Sequence, residues 1–204
     1  TGGGLLDNSG PWQVLTPWPN AWWNLNVQLS YWSVYPSNRL ELGMPLVDAI
    51  GNNLDNLINN VPEPYRKDAA ALPVATDFTL TGATVNVPGT EKKAQVGNLT
   101  WICHNLWLQY RFSMDESILR NTLYPTLRRA VNFYLPFLTE DKSGKLHLKR
   151  TYSPEYGTAE DCNYDIALLR WGCNTLLEAS RILSVDDELI PRWKQVAEYL
   201  TDYP

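Results

Sequence analysis

The residues best suited to chemistry are one glutamate on a proline turn and two asparagines far upstream. Glu155 lies in the run Tyr152-Ser153-Pro154-Glu155-Tyr156-Gly157, which follows a short strand-like segment and precedes a helical pattern. Asn24 and Asn26 stand two positions apart beside several tryptophans. A carboxylic acid can protonate a departing oxygen, whereas an amide can only orient a small polar molecule. These residues indicate a sugar-cleaving site with one acid and no obvious second catalytic carboxylate.

Glu155 must remain protonated near neutral pH to act as an acid, so its pKa must be raised by burial or by a like charge. Aromatic neighbours offer a poorly solvated wall and acidic neighbours offer charge repulsion; these residues are Tyr152, Tyr156, Glu160, Asp161 and Asp165. The alternative is an ordinary solvent-exposed glutamate after a proline turn. The local sequence by itself favours that alternative.

Asn24 and Asn26 can meet one ligand only in a loop or where a helix has barely begun, because residues i and i+2 do not share a helix face. The preceding run Pro19-Asn20-Ala21 permits such a start. The alternative is that both amides cap a helix or satisfy backbone groups. Nearby indoles can stack on the apolar side of a sugar ring, and the candidates are Trp18, Trp22 and Trp23.

Composition excludes several classes of function. The 204 residues carry a net charge of −5, so a basic groove for nucleic acid is not expected. No apolar run approaches the roughly 18 residues that a membrane span needs. The three cysteines lack CxxC spacing and are expected to be buried free thiols. His104 and His147 lack zinc-binding spacing, so we expect neither a metal nor a cofactor.

Helical periodicity accounts for most of the chain. Apolar residues recur at helical spacing, and we expect helices over residues 21–35, 40–58, 98–112 and 116–138, a fifth helix ending near 183, and a sixth over 188–200. Asp115 is a good N-cap for the fourth helix, whereas Pro125 and Pro136 predict a kink or a break within it. Asp161 or Asn163 can cap the fifth helix. Residues 145–150 alternate like a strand.

These six helices predict three helical hairpins, with a long excursion at residues 62–96 between the first two. The excursion holds Pro, Gly and β-prone runs, which favour an irregular path with a small hairpin. Connections of this length are uncommon in compact domains and are often functional. We therefore predict an all-α fold that forms part of an (α/α)6 barrel, a toroid of helical hairpins whose ligands bind on the loops at one end.

The sequence resembles glycoside hydrolase family 95 in several motifs that follow the family's order. The run 24–32 looks like the family signature N-x-N-x-Q-x-x-Y-W. Similar positions continue through Trp101, Trp107, Tyr110-Arg111-Phe112, Leu119, Tyr124-Pro125 and Phe133. The turn Ser153-Pro154-Glu155 and the later Asp165 complete the pattern. The resemblance covers residues 22–200, almost the whole chain.

The resemblance implies an inverting glycosidase built as an (α/α)6 barrel, since known members are mostly α-L-fucosidases with some α-L-galactosidases. By this match Glu155 would be the general acid, and Asn24 and Asn26 would position the nucleophilic water. In the family these amides work with an Asp from the later half of the barrel. Residues 1–204 would then form about half of a catalytic domain, partnered by its remaining half and by an oligo- or polysaccharide substrate.

Further substrate contacts are expected on the same grounds, at Trp22, Trp23, Tyr156, Asp165 and His104. A glycan-degrading enzyme of this kind is expected to be secreted, periplasmic or exposed at the cell surface. No secretion signal is visible in this segment, which opens with Thr1-Gly2-Gly3-Gly4.

Two positions depart from the pattern that the resemblance implies. Fucosidases of the family typically have His two residues before the first Asn of the pair, where it helps to recognise fucose, and this chain has Trp22. The residue after the acid is commonly Asn, and here it is Tyr156. These departures leave two alternatives open: a glycosidase of another sugar specificity, or a glycan-binding relative without hydrolysis. A helical scaffold that binds a protein is a third.

Overall fold

The computed structural model describes residues 4–5 and 21–203, and it is mostly helical. The helices are α1 (Asn26–Trp32), α2 (Met44–Asn52), α3 (Leu54–Asn59), α4 (Asn98–Ser113), α5 (Glu116–Ile118), α6 (Tyr124–Tyr134), α7 (Asn163–Leu183) and α8 (Ile190–Tyr199). Short 3₁₀ segments occupy Leu40–Leu42, Glu63–Asp68 and Leu135–Phe137. The predicted all-α fold, as part of a helical toroid, is confirmed.

Six short strands form three separate antiparallel pairs among the described residues. They are β1 (Ala21–Trp22), β2 (Ala75–Thr76), β3 (Leu138–Glu140), β4 (Leu146–Leu148), β5 (Thr151–Ser153) and β6 (Gly157–Ala159). β1 pairs with β2, β3 with β4, and β5 with β6. The strand predicted at residues 145–150 is therefore confirmed as β4. The β5–β6 hairpin carries the Ser-Pro-Glu turn.

Helix α4 is the centre of the core. Every residue from 98 to 110 is buried or half-buried, and α4 contacts α1, α6 and α7. Asn105 Nδ2 donates a 2.9 Å hydrogen bond to the backbone oxygen of Gln28, which ties α4 to α1. Gly97 lies directly before α4, and a Cβ there would collide with the side chains of Tyr164 and Leu168. A larger residue at position 97 would therefore require these two side chains of α7 to move.

The first helix is shorter than the periodicity predicts. We expected it to begin near Ala21, but residues 21–22 form β1 and α1 begins only at Asn26. Leu25 has a φ of 88°, which no helix accommodates. Trp23 N donates to Val74 O at 2.7 Å, so pairing with a distant strand overrides the local helical pattern here.

The fourth predicted helix is divided, as its prolines indicate. Asp115 caps α5 by accepting a 2.9 Å hydrogen bond from Ser117 N, which confirms the predicted N-cap. A π-helical segment, Leu119–Leu123, connects α5 to α6, and Pro125 lies in the first turn of α6. Pro136 lies in the 3₁₀ segment that ends this helical run. Each proline stands where a missing backbone N–H is tolerated.

Neither residue proposed to cap the fifth helix does so. Cys162 is the N-cap of α7, without a side-chain hydrogen bond, and Asn163 is already the first helical residue. The carboxylate of Asp161 is engaged elsewhere: it accepts a hydrogen bond from Leu148 N and lies 2.7 Å from His147 Nδ1. Asp161 therefore fastens β4 to the start of α7 instead of capping the helix.

The excursion at residues 62–96 contains one 3₁₀ segment, strand β2 and otherwise irregular backbone. The small hairpin that we predicted is reduced to a single bridge between Thr76 and Gly82. Asn60 anchors this path, since its side chain donates to Ala71 O and Leu80 O. In the described part of the chain, no helix is both long and apolar enough to span a membrane.

Candidate active site

Four loop segments gather at the end of the bundle where α4 and α7 begin. Trp23 is bonded to Val74 through the backbone, and Asn98 Nδ2 donates to Leu72 O at 3.3 Å. On the other side, Tyr152 N donates to Ala94 O at 2.9 Å. We call this region the loop end, and it consists of residues 21–26, 72–76, 93–96 and 151–157. Both predicted catalytic segments therefore belong to one end of the molecule.

Asn24 and Asn26 lie where α1 begins, on either side of the left-handed Leu25. Asn24 Oδ1 is buried and makes no hydrogen bond within the described residues. Asn26 is half-buried, and its backbone oxygen accepts a 2.8 Å hydrogen bond from Ser30 Oγ. The N-cap of α1 is Leu25, which has no side-chain capping bond, so capping does not account for either amide. The amide of Asn24 thus carries an acceptor without a partner at the loop end.

The two described tryptophans beside these amides differ in exposure. Trp22 is half-buried in β1 and retains accessible surface. Trp23 is fully buried, and its indole N–H donates to Thr76 Oγ1 at 2.8 Å. This burial favours a structural role for Trp23 in holding the loop, so Trp22 is the better candidate for stacking on a sugar. Trp18, the third predicted member of this platform, lies outside the described residues.

Glu155 lies at the tip of the β5–β6 hairpin. Ser153 and Gly157 face each other in the last pair of the ladder, and Glu155 adopts a φ of 70° between them. Glu155 is exposed, and Tyr156 is 96% exposed. The poorly solvated wall that we expected from Tyr156 is therefore not formed by the described residues. None of their hydrogen bonds joins Glu155 to Asn24 or Asn26.

Asp165 lies in the first turn of α7 and is fully buried. Tyr134 OH donates a 2.8 Å hydrogen bond to Asp165 Oδ1, whereas Oδ2 has no well-formed bond. Burial raises the pKa of Asp165 to about 7, although the nearby hydroxyls of Thr151 and Tyr134 favour the charged form. This placement favours a structural role for Asp165 in support of strand β5, which begins at Thr151. It does not favour the direct sugar contact that we expected.

His104 lies in the second turn of α4, next to Asn105, whose side chain is bonded to the backbone oxygen of Gln28. It is half-buried, and its ring lies 5.2 Å from that of Trp171 on α7. Burial lowers the pKa of His104, so the neutral imidazole is favoured. A sugar contact at His104 stays a prediction. No three His, Cys, Asp or Glu side chains of residues 4–5 and 21–203 are grouped to hold a metal ion.

Gln95 is a polar residue of the loop end that the sequence did not indicate. It directly follows Ala94, the backbone partner of Tyr152, and its Nε2 is buried without a hydrogen bond in the described structure. Nothing in the local sequence distinguishes this glutamine from a surface residue. Its significance depends on backbone contacts with segments about sixty residues further along the chain.

Known proteins match the chain along most of its length. A family model described as Glycosyl hydrolase family 95 catalytic domain matches residues 9–204. Alpha-L-fucosidase 2 of Arabidopsis thaliana is 26% identical over 189 residues, which cover 87% of this chain and 22% of that protein. Probable alpha-fucosidase A of Aspergillus niger is 25% identical over 137 residues, which cover 66% of this chain and 17% of that protein.

The chain thus corresponds to a minor part of each of these relatives, which are several times longer. The family match, by contrast, includes both candidate segments and every helix of the described structure. The chain belongs to glycosyl hydrolase family 95.

Proposed function

We propose that this chain supplies the general acid and the water-positioning amides of an inverting exo-glycosidase. The enzyme would remove a terminal α-L-fucose-like or α-L-galactose residue from a glycan. The observation that carries this proposal is the convergence of the segments of Asn24 and Glu155 at the loop end, through Trp23–Val74 and Tyr152–Ala94. Family membership and two relatives named as fucosidases support it.

In the proposed reaction, Glu155 transfers its proton to the glycosidic oxygen as the bond to the anomeric carbon breaks. Asn24 and Asn26 form hydrogen bonds with a water on the opposite face of the sugar. A carboxylate base takes a proton from that water as its oxygen bonds to the anomeric carbon, so the configuration inverts. In inverting enzymes the two carboxyl groups stand about 6.5–9.5 Å apart, which leaves room for the water.

We propose that the carboxylate base and the cover over Glu155 come from the rest of the catalytic domain. An amide is too weakly basic to deprotonate water, so the asparagines cannot replace the base. A general acid also needs a poorly hydrated setting, whereas the described residues leave Glu155 exposed. Packing of further helices and binding of substrate would both remove water from this hairpin. Such an enzyme fits a secreted, periplasmic or cell-surface location.

A second candidate function is glycan binding without hydrolysis, or hydrolysis of a different sugar. Trp22 stands where fucosidases of the family typically carry a fucose-recognising His, and Tyr156 follows the acid in place of Asn. An indole can stack on a sugar but cannot accept a hydrogen bond from its hydroxyls. This difference concerns which sugar is bound. The proposed acid, Glu155, and the asparagine pair are present in either case.

The test is the variant Glu155→Gln in a protein that carries these 204 residues with the rest of the catalytic domain. We expect turnover of α-L-fucosyl or α-L-galactosyl oligosaccharides, whose leaving alcohol needs a proton, to fall by about 10²-fold or more, the usual contribution of general acid catalysis. The 4-nitrophenyl glycosides should fall far less, because their phenolate leaves without protonation. Glu160→Gln is the matched control, because Glu160 is an exposed glutamate just beyond the same hairpin. Unchanged turnover of the oligosaccharides in Glu155→Gln would remove Glu155 as the acid. Sugar binding by the parent without any hydrolysis would favour the second candidate.

A further inference from the structure

The hairpin that carries Glu155 is closed at its base by hydrogen bonds outside the β5–β6 ladder. Asp161 N donates to Leu148 O at 3.0 Å, and Leu148 N donates to the carboxylate of Asp161 at 2.7 Å. Leu148 precedes β5 and Asp161 follows β6, so these bonds join the two ends of the segment 148–161. They therefore limit how far Glu155, at the tip of this segment, can move.

His147 lies beside this closure, between two carboxylates. Its Nδ1 lies 2.7 Å from Asp161 Oδ2, and its Nε2 lies 3.4 Å from Asp141 Oδ2. A neutral imidazole carries one N–H and can donate to only one of these carboxylates, whereas the imidazolium donates to both. The arrangement therefore favours the protonated ring.

Other bonds hold both carboxylates in place around the ring. Asp141 Oδ1 accepts from Ser143 N, Ser143 Oγ and Lys145 N, and these bonds, that of the Ser143 hydroxyl above all, lower the pKa of Asp141 to about 2. The hydrogen bond to Asp161 raises the pKa of His147 above the ordinary 6.5, against a smaller opposing effect of desolvation, and Asp141 adds to the rise. Within the described part of the chain, these aspartates are the charged groups that act on His147.

We propose that His147 is a positioning residue for the candidate acid: its protonated ring holds Asp161 against β4 and thereby fixes the hairpin that carries Glu155. His147 acts through Asp161 and needs no contact with the substrate. When the ring loses its proton, one carboxylate faces a nitrogen without hydrogen, and the base of the hairpin loosens. The inference rests on the proposed function, because the position of Glu155 affects turnover only if Glu155 is the acid.

The effect of His147 has a definite direction with pH. Because its pKa in the folded protein is raised, the contribution of the imidazolium is fully present below pH 6.5 and is lost as the pH rises through the higher folded value. The candidate acid also becomes inactive when its own proton is lost at high pH. The contribution of His147 is therefore measured as the ratio of parent to variant at each pH.

The first measurement is the pH profile of kcat on α-L-fucosyl or α-L-galactosyl oligosaccharides, in the protein with its complete catalytic domain. His147→Gln keeps an amide donor near Asp161 but cannot carry a charge. We expect its kcat to be about tenfold below that of the parent at pH 6, with the ratio approaching one above about pH 8 and KM changing less than about twofold. His147→Arg stays charged throughout and should retain most of the parent kcat.

Two aspartates provide a second variant and a matched control. Asp161→Asn should reproduce the effect of His147→Gln, because its amide oxygen still accepts from Leu148 N but carries no charge. Asp202→Asn should leave kcat unchanged, because Asp202 is exposed and pairs with Lys145, 3.6 Å away. The same fold loss at every pH in His147→Gln would overturn the proposal, since it would give His147 a role in the fold alone. Unchanged kcat in His147→Gln and Asp161→Asn would also overturn it.

Hydrogen exchange of the backbone amides of residues 148–161 separates this inference from the proposed function. After correction for the intrinsic rate, exchange should become faster as the pH rises in the parent, stay fast in His147→Gln and stay slow in His147→Arg. This response in a protein without hydrolysis would remove the proposed function and leave a pH-dependent closure of the hairpin. Hydrolysis that requires Glu155, with kcat and exchange both indifferent to His147, would leave the proposed function and end this inference.

Discussion

The backbone adopts an unfavourable conformation at both candidate segments. Leu25 has a φ of 88° and Glu155 a φ of 70°, and neither residue type favours the left-handed region. Each such residue costs roughly 1–2 kcal/mol, so it persists only where its surroundings enforce it. Met114 and Ser184 share the feature, but both are C-caps of long helices, where it has an ordinary structural cause. Asn38, Leu80 and Asp161 share it outside helices and strands, so the feature by itself does not mark a functional site.

Asn24 allows a test that separates function from stability. Its Oδ1 is buried without a partner, so the apolar variant Asn24→Leu removes an unsatisfied acceptor and should leave the free energy of unfolding unchanged or raised. Turnover should nevertheless fall about tenfold or more, because the water would lose an orienting group. Kinetics on an aryl glycoside and denaturant unfolding measure the two effects.

Asn60→Leu is the contrasting variant. Its amide is buried and donates to Ala71 O and Leu80 O, so the same substitution there should cost about 2 kcal/mol or more of folding stability. A large loss of stability in Asn24→Leu, similar to that in Asn60→Leu, would show that Asn24 is a structural amide.

At the scale of the elements, Asp165 connects α7 and α6 to the strand that leads to Glu155. Its carboxyl group accepts a hydrogen bond from the hydroxyl of Tyr134 on α6 and lies near Thr151 on β5. The pKa of the neighbouring Tyr164 is raised, mainly by its own burial and also by the charge of Asp165. Because burial raises the pKa of Asp165 from 3.8 to about 7, the folded state retains a proton that the unfolded chain loses. Stability from this group is therefore greatest at low pH and declines as the pH rises through that range.

The variant Asp165→Asn tests this coupling, because an amide still accepts from Tyr134 but does not titrate. We expect the variant to gain stability relative to the parent by about 1.4 kcal/mol for each pH unit between roughly pH 4 and 7, and no further above that. Unfolding curves of both proteins across pH 4–8 provide the measurement. A stability difference that is constant with pH would show that Asp165 is already ionised in the folded state.

The sequence predicts the helices well and the loop end poorly, for one physical reason. The Asp115 cap and the helix-breaking prolines are local signals, and the structure bears them out. Periodicity is less exact, since the helix predicted over 40–58 is divided into a 3₁₀ segment, α2 and α3. By contrast, the start of α1 depends on pairing between residues 21–22 and 75–76, more than fifty positions apart. Asp161 has a good capping sequence but finds stronger partners in β4. The candidate site is assembled from such distant contacts. The residue types could therefore suggest candidate residues, but they could not predict how those residues are arranged.

At the scale of the whole molecule, α1 and its N-cap Leu25 leave three apolar side chains partly exposed to solvent. Leu25, Leu29 and Trp32 recur at helical spacing and are 38%, 41% and 43% exposed, whereas Val27, Gln28 and Tyr31 on the opposite face are buried. Contiguous exposed apolar surface usually marks an interaction site. We propose that the remaining helices of the catalytic domain cover this face, and that they thereby bring the base towards Asn24 and Asn26.

The variants Leu29→Glu and Trp32→Glu test that proposal in the protein with its complete catalytic domain. A charge buried in a helix interface without a partner costs several kcal/mol, so we expect loss of activity and a lower melting temperature in both. Leu42→Glu is the control, because Leu42 is an exposed leucine outside this face and its replacement should cost little. The 204-residue chain alone should respond weakly to all three substitutions, since the affected side chains are already exposed in it. Full activity and unchanged melting of Leu29→Glu in the complete domain would mean that nothing packs on this face, and the base would have to reach the loop end by another route.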